Sequence, residues 1–128
     1  MDPAICLALA IYFEARSEPV IGQLAVATVV LNRVKSPRWP DDICKVVWQR
    51  KQFSFTHDGK SDRPKEKIAW KRSRMLADVM LNTATSYDFS KGSDHYHTKQ
   101  VKPYWVASLD QKTVIGNHIF YGKKNDTK

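Results

Sequence analysis

Two apolar runs near the start of the chain, divided by a short charged stretch ending in Pro19, constrain its fold more than any other feature. In the first run Ile5, Ala8, Leu9 and Tyr12 recur at helical spacing, which predicts a helix over 4–16. Asp2 and Pro3 suit its cap and first turn. Pro19 marks a break. A second helix is expected over 20–34. Leu24, Ala25, Val26, Ala27, Val29, Val30 and Leu31 make it apolar nearly all round, the pattern of a buried central helix. Its β-branched segment Thr28-Val29-Val30 would also suit a strand, but the apolar character outlasts a typical strand.

The rest of the chain is more polar. Ser36-Pro37-Arg38-Trp39-Pro40 reads as a turn, followed by a short helix over 41–49. Residues 51–65 read as a long surface loop. A fourth helix is expected over 64–81, with Ile68, Met75, Leu76, Val79 and Met80 inward. The last forty residues alternate aromatic and polar groups, which suggests short strands. Helices first and a small sheet late define an α+β domain, mostly helical with an antiparallel sheet near the C-terminus.

A chain of 128 residues, 42% of them hydrophobic, fits one domain over 1–128 that can bury a core without staples. Cys6 and Cys44 allow one disulfide, but two buried thiols are the favoured expectation. The stretch 4–13 lacks a basic leader region and is too short to span a bilayer, so the expectation is synthesis in the cytoplasm without an export signal and no membrane insertion. The net charge of +8 predicts attraction to polyanions, whether nucleic acid, acidic membrane or an anionic cell wall.

Three groups of residues invite a chemical reading. Glu14 ends an apolar helix, where the helix dipole and burial beside Tyr12 and Phe13 would raise its pKa, as a general acid near neutral pH requires. The alternative is a surface ion pair with Arg16 or a nearby lysine. His95, His97 and His118 could hold zinc in a small sheet, or be ordinary histidines. Alternation puts His95 and His97 on one strand face and Tyr96 on the other. The aromatic set of Trp39, Phe53, Phe55, Tyr96, Tyr104, Trp105, Phe120 and Tyr121 suits sugar stacking, single-stranded nucleic acid, or simply a core.

Three segments go further. The first is Ile11-Tyr12-Phe13-Glu14-Ala15-Arg16-Ser17-Glu18-Pro19, continuing through Gly22-Gln23-Leu24-Ala25-Val26-Ala27 to Val30-Leu31-Asn32-Arg33-Val34. The second holds Trp39-Pro40, Ile43-Cys44 and Gln52-Phe53-Ser54. The third holds His95-Tyr96-His97, Val101, Pro103, Trp105 and Ile115-Gly116-Asn117-His118-Ile119-Phe120-Tyr121. Over nearly its whole length the chain resembles the cell-wall hydrolases that include the spore cortex-lytic enzymes of the SleB type. Ser17 stands where that family often has glycine.

The resemblance implies a lysozyme-like domain that cleaves the β-1,4 bond between N-acetylmuramic acid and N-acetylglucosamine. Glu14 is the implied catalytic acid. The implied reaction is that of a lytic transglycosylase, which leaves a 1,6-anhydromuramic end. Gln52, Phe53, Ser54, Tyr96, His97, Trp105, His118 and Tyr121 are the expected substrate-binding residues. A hydrolase would need a second carboxylate, for which Glu18 is the candidate. The expected partner is peptidoglycan, with the anionic wall met by the basic surface, and with no cofactor, metal or nucleic acid. The expected form is a monomeric phage endolysin acting on the wall after release. The rival is a non-catalytic module for glycan or nucleic acid.

Overall fold

The computed structural model describes residues 1–49, 63–82 and 87–125. Four helices come first: α1 (Pro3–Ala15), α2 (Val20–Lys35), α3 (Ile43–Val47) and α4 (Lys67–Asn82). Strand β1 (His95–Thr98), a 3-10 helix (Tyr104–Ser108), β2 (Asp110–Ile115) and β3 (His118–Gly122) follow. The strands form an antiparallel sheet in the order β1-β3-β2, so the α+β expectation holds. Among the described residues, no helix is long and apolar enough to cross a membrane.

Helix α1 starts where its sequence says it should. The Asp2 side chain accepts from the Ala4 N–H at 2.9 Å, and Pro3 sits in the first turn, where no N–H is needed. Every residue from Cys6 to Tyr12 is buried. This helix packs on α2, α3 and α4, and α2 in turn packs on α1, α3 and α4, so the two share the centre of the fold. Helix α2 is buried on every side over 25–30, as its apolar pattern predicts, and leaves its start about half exposed, at Val20 and Ile21. Both helices are apolar all round, and both have neighbours on several sides. The β-branched run in α2 is helical. The Thr28 hydroxyl donates to the Leu24 carbonyl at 2.8 Å, so no polar group is stranded there.

Two expectations are corrected. Helix α4 buries Ser73, Leu76, Ala77 and Met80, an i, i+3, i+4, i+7 stripe, against α1. Ile68, Met75 and Val79, expected inward, lie on the exposed side. The helix carries two apolar stripes, and the small residues Ser73 and Ala77 favour the first by letting α1 approach closely. Cys6 and Cys44 are not free thiols. They form a disulfide across 38 positions that ties α1 to α3. Cysteine count and spacing carry no information on that proximity.

Cross-strand register divides the sheet residues between two faces. Tyr96 pairs with Phe120 and Thr98 with His118, on the face toward the helices, where Phe120 joins Ala15, Ala25, Val26 and Val29 in a core cluster. His95 pairs with Tyr121 and His97 with Ile119, on the other face.

Candidate active site

Glu14 lies in the last turn of α1, half-buried, in a hollow lined by Phe13, Glu14, Ala15, Arg16, Ser17 and Glu66. Strand β1 delivers Tyr96 to it. The Tyr96 hydroxyl donates to Glu14 Oε1 at 2.5 Å. Burial, then the Glu14 charge and this hydrogen bond, raise the Tyr96 pKa well above its usual value, so the phenol stays a donor across the physiological range. The surface ion pair considered for Glu14 with Arg16 is not formed, because Arg16 pairs instead with Glu66.

Arg33, near the end of α2, backs this pair. It is almost fully buried; its Nε donates to the Asp94 carbonyl at 2.8 Å, and its guanidinium lies 5.2 Å from the centre of the Trp39 ring. Burial lowers its pKa, and the electrostatic influence of Tyr96, Asp94 and Glu14 opposes that shift. A buried cation is costly unless neighbouring dipoles and charges compensate it, so its position behind an acid and a phenol is a built feature. Beside it, the Asn32 amide donates to Asp88 at 3.1 Å and to the Ser93 carbonyl at 2.9 Å, tying the segment before β1 to α2.

The other side of the hollow is set by Tyr12. Its ring stacks on Phe13 at 4.8 Å, and its hydroxyl accepts from the N–H groups of Lys65 and Glu66 at 3.2 and 2.9 Å. That anchors the approach to α4 on α1 and sets Glu66 against Arg16, whose guanidinium also lies over the Tyr12 ring.

Glu18 faces elsewhere. Its Oε1 accepts from the Asn117 N–H at 2.8 Å, in the turn between β2 and β3, while Gln23 Nε2 donates to its carbonyl at 3.0 Å. The two glutamates thus have unrelated partners.

The expected substrate-binding residues separate into groups. Tyr96 and His118 share the face toward Glu14, with ring centres 5.0 Å apart. His118 is buried, and burial, reinforced by His97 and opposed by Glu18, lowers its pKa. His97, Trp105 and Tyr121 form a separate cluster on the opposite face. His97 Nε2 is 3.0 Å from the Tyr121 hydroxyl, and Trp105 packs edge-on against both rings. These three are therefore not assembled around Glu14, because alternation along β1 and β3 turns them away. The same alternation separates His118 from His95 and His97, so the three histidines do not converge on one metal position. Gln52, Phe53 and Ser54 lie outside the described residues.

Arg33 and Glu66 are the site residues that sequence reasoning missed. Arg33 stands inside the quoted Asn32-Arg33-Val34 segment, a signal that was available. Glu66 is the only acid among the six basic residues of 63–74, which is a weaker one.

A buried-helix glutamate held by a strand tyrosine, in four helices with a small late sheet, defines a lysozyme-like α+β domain with a candidate acid site. Comparisons with known proteins give the class a family. The family model described as Cell Wall Hydrolase matches residues 17–121, a span that begins just after Glu14. The spore cortex-lytic enzyme of Halalkalibacterium halodurans is 34% identical over 115 residues, which are 89% of this chain and 33% of that protein. The spore cortex-lytic enzyme of Bacillus subtilis is 31% identical over 89% of this chain and 35% of its own length. The chain thus spans about a third of these curated relatives. The catalytic domain of the Bacillus cereus SleB protein superposes with a TM-score of 0.71 at 30% identity, covering 93% of this chain and 89% of that one. The catalytic domain of the germination-specific lytic transglycosylase SleB from Bacillus anthracis gives 0.73 at 31%, covering 94% and 95%. This chain belongs to the cell wall hydrolase family.

Proposed function

We propose that the domain cleaves the glycan strand of peptidoglycan at the β-1,4 bond between N-acetylmuramic acid and N-acetylglucosamine, as a lytic transglycosylase with Glu14 as its acid. The observation that carries this reading is the Glu14–Tyr96 contact at the wall of an open hollow. One carboxylate suffices for the reaction. Glu14 protonates the glycosidic oxygen as its bond to C1 breaks. The muramic C6 hydroxyl then attacks C1 and returns its proton to the carboxylate, leaving the 1,6-anhydro ring. A tethered hydroxyl has a large effective concentration over water. Tyr96 positions the acid by holding one of its oxygens, and Arg33 supplies a positive field behind them. The engagement of Glu18 with Asn117 supports a mechanism that does not use it.

A second reading, hydrolysis, has one observation in its favour: Glu66 lines the same hollow as Glu14. Its pairing with Arg16 is the argument against a role as base or nucleophile. The net charge of +8 suits an anionic wall as the setting. The disulfide suits work outside a reducing cytoplasm, as an endolysin's would be.

The test is mass spectrometry of muropeptides released from purified peptidoglycan by wild type, Glu14→Gln and Glu66→Gln. Anhydro ends, a Glu14→Gln loss on the order of 10²–10⁴-fold in a folded protein, and an active Glu66→Gln support the transglycosylase. Reducible ends that vanish in Glu66→Gln select the hydrolase. Near-normal cleavage by Glu14→Gln removes the assignment altogether.

A further inference from the structure

The hollow at Glu14, about 290 Å³, shares Arg16 and Glu66 with a second one of about 510 Å³ lined also by Lys67, Ile68, Ala69 and Arg72. The ion pair between Arg16 and Glu66 forms the sill between them. A groove therefore leads from the acid onto the exposed side of α4. The charge along it is uneven. Arg16 and Glu66 cancel, and Lys67 and Arg72, both exposed, remain as two cations. Ile68, 79% exposed, lies between them and presents an apolar surface where a soluble helix would carry a polar residue.

We propose that this second hollow is a subsite for the peptide stem of the substrate, with Lys67 and Arg72 receiving its carboxylates and Ile68 its aliphatic side chains. The inference rests on the reading of Glu14 as the acid of a peptidoglycan-cleaving site. A bare N-acetylated glycan offers one carboxylate per muramic unit, on the lactyl ether next to the sugar ring, with no chain to carry it beyond the Arg16–Glu66 sill and no aliphatic side chain for Ile68. Each muramic unit, however, carries through its lactyl ether a short peptide with free carboxylates and methyl-bearing side chains. A stem leaving the sugar at the bond being cut would pass over the Arg16–Glu66 sill into the second hollow. Phosphodiesters of wall polymers share the anionic chemistry but lack the aliphatic part, and the substrates chosen for the test exclude them.

The experiment compares two substrates, both stripped of wall polymers: glycan strands with their stems, and strands denuded of stems by an amidase. The readout is the ratio of kcat/KM on the first to that on the second. Lys67→Gln with Arg72→Gln is expected to lower this ratio roughly five- to tenfold, as two partly solvated ionic contacts allow. Lys71→Gln with Arg74→Gln removes the same charge from residues lining a different depression of α4 and is expected to leave the ratio at the wild-type value. Binding of an isolated stem peptide to the wild-type chain, weakened in the first double variant and abolished when the peptide carboxylates are amidated, is the matching equilibrium result. An unchanged ratio in the first variant, or an equal fall in both variants, overturns the subsite while cleavage of denuded strands leaves the Glu14 reading standing. If wild type cleaves neither substrate, the function reading falls and the subsite with it.

Discussion

Glu18 Oε1 accepts a hydrogen bond from the backbone N–H of Asn117 at 2.8 Å, across 99 positions of the chain. The contact joins the α1–α2 connection to the tip of the β2–β3 hairpin. The turn is shaped for it: Gly116 has φ of +57°, and a Cβ there would stand 2.2 Å from the same carboxylate oxygen. A side chain at 116 would meet both the left-handed backbone penalty and this collision.

Glu18→Gln retains an acceptor oxygen and is expected to keep most of the activity and stability. Glu18→Ala strands the Asn117 N–H and is expected to destabilise by about 1–3 kcal/mol. Gly116→Ala is expected to destabilise similarly. Thermal melts of the three variants, with wall-clearing rates beside them, check this. A folded Glu18→Gln as inactive as Glu14→Gln would place Glu18 in the chemistry instead.

Tyr96→Phe removes the donor at Glu14 with little change in shape. The bond is strongest to the carboxylate that Glu14 becomes as it gives up its proton, where it is worth about 1.5–3 kcal/mol, so kcat is expected to fall roughly 10- to 100-fold. KM should stay near the wild-type value, because Tyr96 acts through Glu14 rather than by binding sugar. Steady-state kinetics on soluble glycan fragments separate the two. A rise in KM with unaltered kcat would make Tyr96 a sugar contact.

Much of this arrangement is legible in the residues themselves, and the exceptions share a cause. The period of apolar residues marks α1 and α2, and the alternation at 95–97 sets Tyr96 apart from its histidine neighbours. A carboxylate ending an apolar helix is conspicuous at Glu14. What local pattern does not carry is which element lies opposite. The buried stripe of α4 is chosen by how closely α1 can approach Ser73 and Ala77, not by hydropathy, so Ile68 and Met75 point outward. His97, Trp105 and Tyr121 match a family segment yet gather behind the sheet, since only the β1–β3 register shows which side each ring takes. Arg33 reads as one surface cation among many until the segment carrying Asp94 closes over it.

The Cys6–Cys44 disulfide closes a loop of 38 positions on the helix that carries Glu14. In the chain-entropy account, a loop of that size stabilises by about 4 kcal/mol. Reduction, or Cys6→Ala with Cys44→Ala, is therefore expected to lower the melting temperature by roughly 10–20 °C. Calorimetry with and without a phosphine reductant measures it. Identical melts would mean the thiols contribute only packing, as free cysteines would.

His118 makes stability depend on pH. Its ring is buried against Tyr96 and Phe120, and among the described residues its Nδ1 has no hydrogen-bond partner. Burial lowers its pKa below the ordinary 6.5; His97 adds to the shift and Glu18 opposes it. The folded state thus prefers the neutral ring, and the unfolded chain binds the proton more readily. Above about pH 6.5 the ring is neutral in both states and the native protein has its full stability with respect to this group. As pH falls below that value the unfolded state gains protons first, and stability is lost until the folded-state pKa is passed. His118→Phe keeps an aromatic ring beside Tyr96 and removes the titration. Melts at pH 7.5, 6.5, 5.5 and 4.5 should therefore show the variant gaining on wild type toward acid. A constant difference between the two proteins across that range would show that His118 titrates alike in the folded and unfolded states.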